Sequence, residues 1–178
     1  FQRLAHHGRA DLIEKLVAHV AEHHLPELRG APDLPNAFLR AVRDRSADLC
    51  ASWLAAGFVH GVLNTDNLVV TGESFDYSPW RFLPHLDPGF TAAYFDEGGL
   101  YAYGRQARAV LWNLVRLSET LAPVLRGVRA EPVMREFDAI LRQRLIERWL
   151  ARLGVRARDA DHDAALFDAS WAYLENAR

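Results

Sequence analysis

Asp66, Asn67 and Asp76 are the residues of this sequence whose types and spacing could do chemistry. An Asn amide oxygen and an Asp carboxylate are hard oxygen ligands. Together with phosphate oxygens they suit magnesium, which takes only one or two carboxylates from a protein. Asp76 follows Asn67 by nine residues, and Thr71-Gly72-Glu73 between them reads as a tight turn. A hairpin folding there returns Asp76 to the side of Asn67. Asp66 is then a further carboxylate, left to accept a proton from an attacking hydroxyl. Taken alone, Asp66-Asn67 is an ordinary turn pair. The downstream Asp76 and the flanking residues tip the balance toward a site.

The elements that must position these residues are mostly helical. Leu12, Ile13, Leu16, Val17 and Val20 fall on one face at 3.6-residue spacing, predicting a helix over 10–24. Phe38, Val42, Leu49 and Trp53 stripe a second helix over 36–56, with Gly57 as its stop. Phe58-Val59 and Leu68-Val69-Val70 are short β-prone runs on either side of Asn64-Thr65-Asp66-Asn67. A long irregular stretch rich in Pro, Gly and aromatics follows as far as 102, a length of loop that is usually functional. Helices resume near Tyr103, carrying Val110, Leu111, Leu114, Val115 and Leu121. Another starts near Pro132 and is striped by Phe137, Ile140, Leu141, Leu145 and Trp149 as far as Gly154. Asp159 or Asp161 caps a last helix carrying Phe167, Trp171 and Leu174. Trp53, Trp112, Trp149 and Trp171 all sit at stripe positions and read as core, while Trp80 is in the loop.

Composition narrows the function classes. The 178 residues carry 21 Lys+Arg against 23 Asp+Glu, a formal charge of −2, which argues against a general nucleic-acid binder. Half the residues are hydrophobic, enough for the core of one domain. A single Cys excludes a disulfide scaffold and fits a reducing compartment. No apolar run approaches the ~20 residues that span a bilayer. All but one of the 21 cations are arginine, a bias that reads as genome composition. The exception, Lys15, lies in the first long helix and pairs by helical spacing with Asp11. His19 and His23 match an inverted zinc-protease motif but read as a solvated helix end.

The loop has a kinase-type layout, H-x-D-x-x-x-x-N followed by a hairpin and a metal-binding Asp. His60 and Asn67 occupy the ends of that loop and Asp76 the downstream position, but Val62 stands where the catalytic Asp belongs. Valine accepts no proton, so either the site is dead or another residue is the base, and Asp66 is the obvious substitute. Gly57-Phe58-Val59-His60-Gly61-Val62-Leu63-Asn64-Thr65-Asp66-Asn67 with Asp76-Tyr77 resembles the central signature of the SelO/YdiU family. Phe1-Gln2-Arg3-Leu4-Ala5-His6, Asp87-Pro88, Tyr101-Ala102-Tyr103, Gln106 and Leu111-Trp112-Asn113-Leu114 are similar to it as well. The resemblance is clear over residues 1–125 and rests on helical pattern beyond them.

The resemblance implies a mainly α fold, a protein-kinase-like C-lobe with a small β-hairpin at the catalytic and metal site. It implies a protein adenylyltransferase that transfers AMP from ATP to protein Ser, Thr or Tyr hydroxyls. Carried over, Asp66 is the proton acceptor, Asn67 and Asp76 are magnesium ligands (manganese can stand in), and Asp76 also lies beside the nucleotide phosphates. Ser78 and Arg81 stand where glycines are usual in the family, departures that bear on protein-substrate binding, and Leu100 stands where an Arg is usual. No G-x-G-x-x-G occurs, and Lys15 lies in a helix upstream of the loop. Residues 1–178 therefore read as a single second lobe without the nucleotide-cradling first lobe, and a chain that opens on Phe1 rather than Met reads as processed, cut or a piece of something longer. The expected partners are protein substrates, with no nucleic acid and no membrane, and the expected location is a bacterial cytoplasm. Two other readings stand beside this one: an inert remnant or interaction module, and an ordinary phosphotransferase, which Val62 disfavours.

Overall fold

The computed structural model describes residues 1–125 and 130–177. Among the described residues the chain is mainly α with four two-residue strands. In order it forms α1 (Gln2–His6), α2 (Ala10–His24), α3 (Leu34–Ala56), β1 (Phe58–Val59), β2 (Leu68–Val69), β3 (Glu73–Ser74), β4 (Arg81–Phe82), α4 (Gln106–Leu121), α5 (Ala130–Arg135), α6 (Phe137–Leu153) and α7 (Ala160–Asn176). Single 3-10 turns sit at Pro26–Leu28, Thr65–Asn67 and Tyr103–Arg105. Among the described residues no helix is long and apolar enough to cross a membrane.

Helix α3 is the axis of the fold and packs against α2, α4 and, most extensively, α6. Its Phe38, Leu39, Val42, Cys50 and Ala51 meet Ile13 and Val17 of α2, Val110, Leu114 and Leu121 of α4, and Phe137 and Leu141 of α6 in one buried cluster. Cys50 has no exposed surface, and burial pushes its thiol up to about 12, so it behaves as a small apolar residue. A smaller cluster of Ala55, Trp149 and Phe167 seats α7 on α6. Gly57 closes α3 in the left-handed conformation, at φ 65°, a conformation that suits glycine. The Asp159 carboxylate caps α7 by accepting from the His162 N–H at 3.1 Å.

Three expectations are corrected. The helix expected from Pro132 to Gly154 breaks at Glu136 into α5 and α6. The buried Arg43 guanidinium donates to the Val133 carbonyl at 2.9 Å and also engages Glu136. That carbonyl is the one an unbroken helix would offer to Phe137. Asp11 is not paired with Lys15: the Arg9 fork takes both its oxygens, at 2.9 and 2.8 Å. Trp112 is not core but 54% exposed, with the Arg116 guanidinium 5.3 Å from its ring centre. The buried side of α4 is set by Gln106, Ala109, Val110, Asn113 and Leu114, and Trp112 falls on the other side of the helix.

The irregular stretch after β4 is held by its own backbone. Asp96 accepts from the N–H groups of Leu100 and Tyr101, and Tyr103 and Gly104 donate to the carbonyls of Phe90 and Pro88. The Tyr103 hydroxyl donates to the Leu54 carbonyl near the end of α3, at 2.6 Å.

Candidate functional site

The site is built on the exit from α3. Beyond Gly57 the chain enters β1, which pairs antiparallel with β4 in the register Phe58↔Phe82 and Val59↔Arg81. His60 follows with no exposed surface. Its Nδ1 accepts from the Val62 N–H at 3.4 Å, and its ring packs against Trp53 and Tyr77, with centroids 5.5 and 5.1 Å away. Burial holds the imidazole below the usual histidine range, against the opposing pull of the Phe75 carbonyl and the Asp76 carboxylate. A buried, packed His60 orders the start of the loop.

The loop then turns so that Val62 and Leu63 present their carbonyls to two amides. Asn67 Nδ2 donates to the Val62 carbonyl at 3.1 Å, and Asn113 Nδ2 donates to the Leu63 carbonyl at 2.8 Å. Asn67 is 4% exposed. Committing its amide nitrogen to a carbonyl fixes which way the amide faces and leaves Oδ1 as its free acceptor. That is the orientation a hard cation requires of an Asn ligand. Asp66 sits exposed in the 3-10 turn Thr65–Asn67. It lines a cavity of about 310 Å³ together with Arg3, Thr65, Leu68, Leu117 and Thr120.

The expected hairpin is present. Strands β2 and β3 pair as Leu68↔Ser74 and Val69↔Glu73. Gly72 is at φ 84°, and a Cβ there would lie 2.6 Å from the Arg45 Cβ, so neither the backbone nor the space admits another residue. Arg45 also donates to the Thr71 carbonyl at 3.2 Å, fastening the turn to α3. One bond further on, the Phe75 N–H donates to the Asn67 carbonyl at 3.3 Å. Asp76 therefore leaves the ladder one residue beyond the backbone partner of Asn67.

Asp76 is exposed and stands at φ 58°, the only non-glycine residue at positive φ among those described. An L-residue held there is strained, though Asp tolerates the region better than most, and such strain concentrates at functional sites. The structure thus brings Asn67 and Asp76 together by backbone pairing. It places Asp66 on the wall of the adjoining cavity, and neither Asn67 nor Asp76 lines that wall.

The donor set and the folding around it raise the question of family. The family model described as "Protein adenylyltransferase SelO" matches residues 1–178. The chain belongs to the SelO family. Curated SelO relatives carry the name "Protein nucleotidyltransferase YdiU". The one in Gloeobacter violaceus is 41% identical over 178 residues, covering 100% of this chain and 37% of its own length. The one in Synechocystis is 40% identical over 164 residues, covering 90% of this chain and 34% of its own length. That of Synechococcus is 42% identical over 168 residues, covering 94% and 34%. The chain spans about a third of the length of these SelO relatives.

Sequence reasoning gave no role to the residues that hold the loop. Gln106 and Asn113 entered only through the resemblance, and Arg45 not at all. A signal was present for the first two: they are amides lying among the apolar positions of α4, at Val110 and Leu114 spacing.

Proposed function

We propose that this chain is the catalytic second lobe of a protein adenylyltransferase with a kinase-like fold, acting on Ser, Thr or Tyr hydroxyls of proteins in a bacterial cytoplasm. The observation that carries this reading is the pairing of Asn67 with the segment leading into a strained Asp76, beside a loop with Val62 in place of the kinase Asp. Asp66 is the exposed carboxylate left next to that pair.

In this reading the acceptor hydroxyl enters from the cavity side, and Asp66 takes its proton as the oxygen attacks the α-phosphorus of ATP. The new phosphoester bond forms as the bond to the pyrophosphate breaks, and pyrophosphate leaves with the electron pair. Asn67 Oδ1 and the Asp76 carboxylate fit a magnesium ion, with manganese as a stand-in. Bound there, the ion supplies charge neutralisation to the phosphates. The rigid backing of Asn67 by the Val62 carbonyl keeps the amide oriented without reorganisation during the reaction. The lobe that cradles the nucleotide belongs, in this account, to the remaining length that the relatives possess.

Full-length protein carrying this chain is incubated with Mg-ATP and acceptor proteins, and intact-mass spectrometry weighs the group added. An adenylyl addition is the expected result. A phosphoryl addition assigns the site to ordinary phosphotransfer, and no addition to any acceptor assigns it to an inert remnant; either outcome overturns the proposal.

A further inference from the structure

Two buried amides of α4 grip the chain segment that leads to Asp66. Gln106, with no exposed surface, accepts from the His60 N–H through Oε1 at 3.0 Å and donates from Nε2 to the Phe58 carbonyl at 2.9 Å. These two backbone groups flank Val59 on one edge of β1, while β4 pairs along the other. Gln106 thus does for β1 what a third strand would do, with a single side chain. Asn113 lies seven residues on, two helical turns along the same face, or about 10 Å. Its Nδ2 donates to the Leu63 carbonyl at 2.8 Å and to the Ala109 carbonyl at 3.0 Å. The segment from Phe58 to Leu63 therefore runs alongside α4 and is fixed to it at both ends.

The Asn113 Oδ1 is buried and without a hydrogen-bond partner. An orphaned buried acceptor is unfavourable, because it has given up water without gaining a donor. A leucine of similar volume would avoid it but would orphan the Leu63 carbonyl instead, so what the asparagine adds at this position is that bond. Its Nδ2 bond to Leu63 does something a leucine cannot. With Val62 held by Asn67, consecutive carbonyls are anchored from opposite partners immediately before Asn64 and the 3-10 turn carrying Asp66.

We propose that Gln106 and Asn113 are positioning residues that set the height and direction of the Asp66 turn relative to Asn67. The idea rests on the adenylyltransferase reading for its effect on rate, but the grip itself does not.

Two measurements on the full-length protein separate these. In Asn113→Leu, hydrogen exchange of the Asn67 amide, the one in residues 64–67 that donates to a carbonyl, accelerates at least tenfold, while the helical amides of α2 and α3 keep their protection. Adenylyl transfer by the same variant loses at least tenfold in kcat with the KM for ATP within twofold, the split expected when a proton acceptor is displaced and nucleotide binding is not. Gln106→Glu, which keeps the acceptor and loses the donor to Phe58, serves where Asn113→Leu does not fold and shifts both readouts the same way. Unchanged exchange at Asn67 overturns the grip, and faster exchange with unchanged kcat overturns its role in positioning. If the parent protein transfers no adenylyl group, the adenylyltransferase reading fails and the exchange result alone decides the grip.

Discussion

Asp66→Asn in the full-length protein lowers the rate of adenylyl transfer by about 10²–10⁴-fold, the range general-base removal covers, and leaves the melting temperature nearly unchanged. Asp66 is exposed, and its carboxylate forms no hydrogen bond or ion pair among the described residues, so the fold loses nothing when it is neutralised. Asn has the same turn preference as Asp, so a residue present only to shape the 3-10 turn would be replaced silently. A purely structural Asp66 therefore predicts unchanged transfer, and the two accounts differ by orders of magnitude in one assay. The measurement is the initial rate of acceptor labelling at saturating Mg-ATP, with the thermal melt recorded on the same preparation.

Asp76→Gly separates stability from activity in the opposite sense. At φ 58° an L-residue is strained by about 1–2 kcal/mol, and Asp carries part of that strain. Glycine removes it, at the cost of greater freedom in the unfolded chain. The expected stability is unchanged or raised by up to about 1 kcal/mol. Transfer falls at least about 10²-fold, because a carboxylate that offsets phosphate charge in the transition state is gone. A variant as stable as the parent and nearly inactive is what a residue kept for chemistry predicts. Retained activity would mean that the strain at Asp76 serves only the path of the chain. Thermal denaturation and the transfer assay, run side by side, check both halves.

What could be read in the sequence is what local chemistry decides. Gly57 ends α3 because the left-handed cap suits glycine, and Gly72 makes the β2–β3 turn for a related reason. Once that turn is placed, the register follows from counting residues, and with it the return of Asp76 toward Asn67. Asp159 was likewise legible as one of two candidate caps, with Asp161 the other. What could not be read depends on partners far along the chain. Nothing near Glu136 announces a break, because the cause is Arg43, more than ninety residues earlier. Arg81-Phe82 carries no strong strand signal of its own and becomes β4 only because the exit from α3 offers β1 an unpaired edge. Trp112 was misplaced because aromatic character outweighed its angle on α4, where its ring stays exposed beside the Arg116 guanidinium. The site residues were legible as types at a spacing. The hydrogen bonds that aim Asn67 and hold the Leu63 carbonyl were not, since both depend on the folded path of the loop.

The central claim is that Asn67 and Asp76 face a divalent cation and nucleotide phosphates, with Asp66 beside them. The most direct measurement uses manganese and a non-hydrolysable ATP analogue, titrated into the isotopically labelled full-length protein. Paramagnetic line broadening then reports which residues lie near the ion. The account predicts broadening centred on residues 64–69 and 74–77, abolished by Asp76→Gly. Broadening centred on the exposed His19 and His23 pair, whose rings lie 4.5 Å apart on α2, or broadening that survives Asp76→Gly, would contradict it.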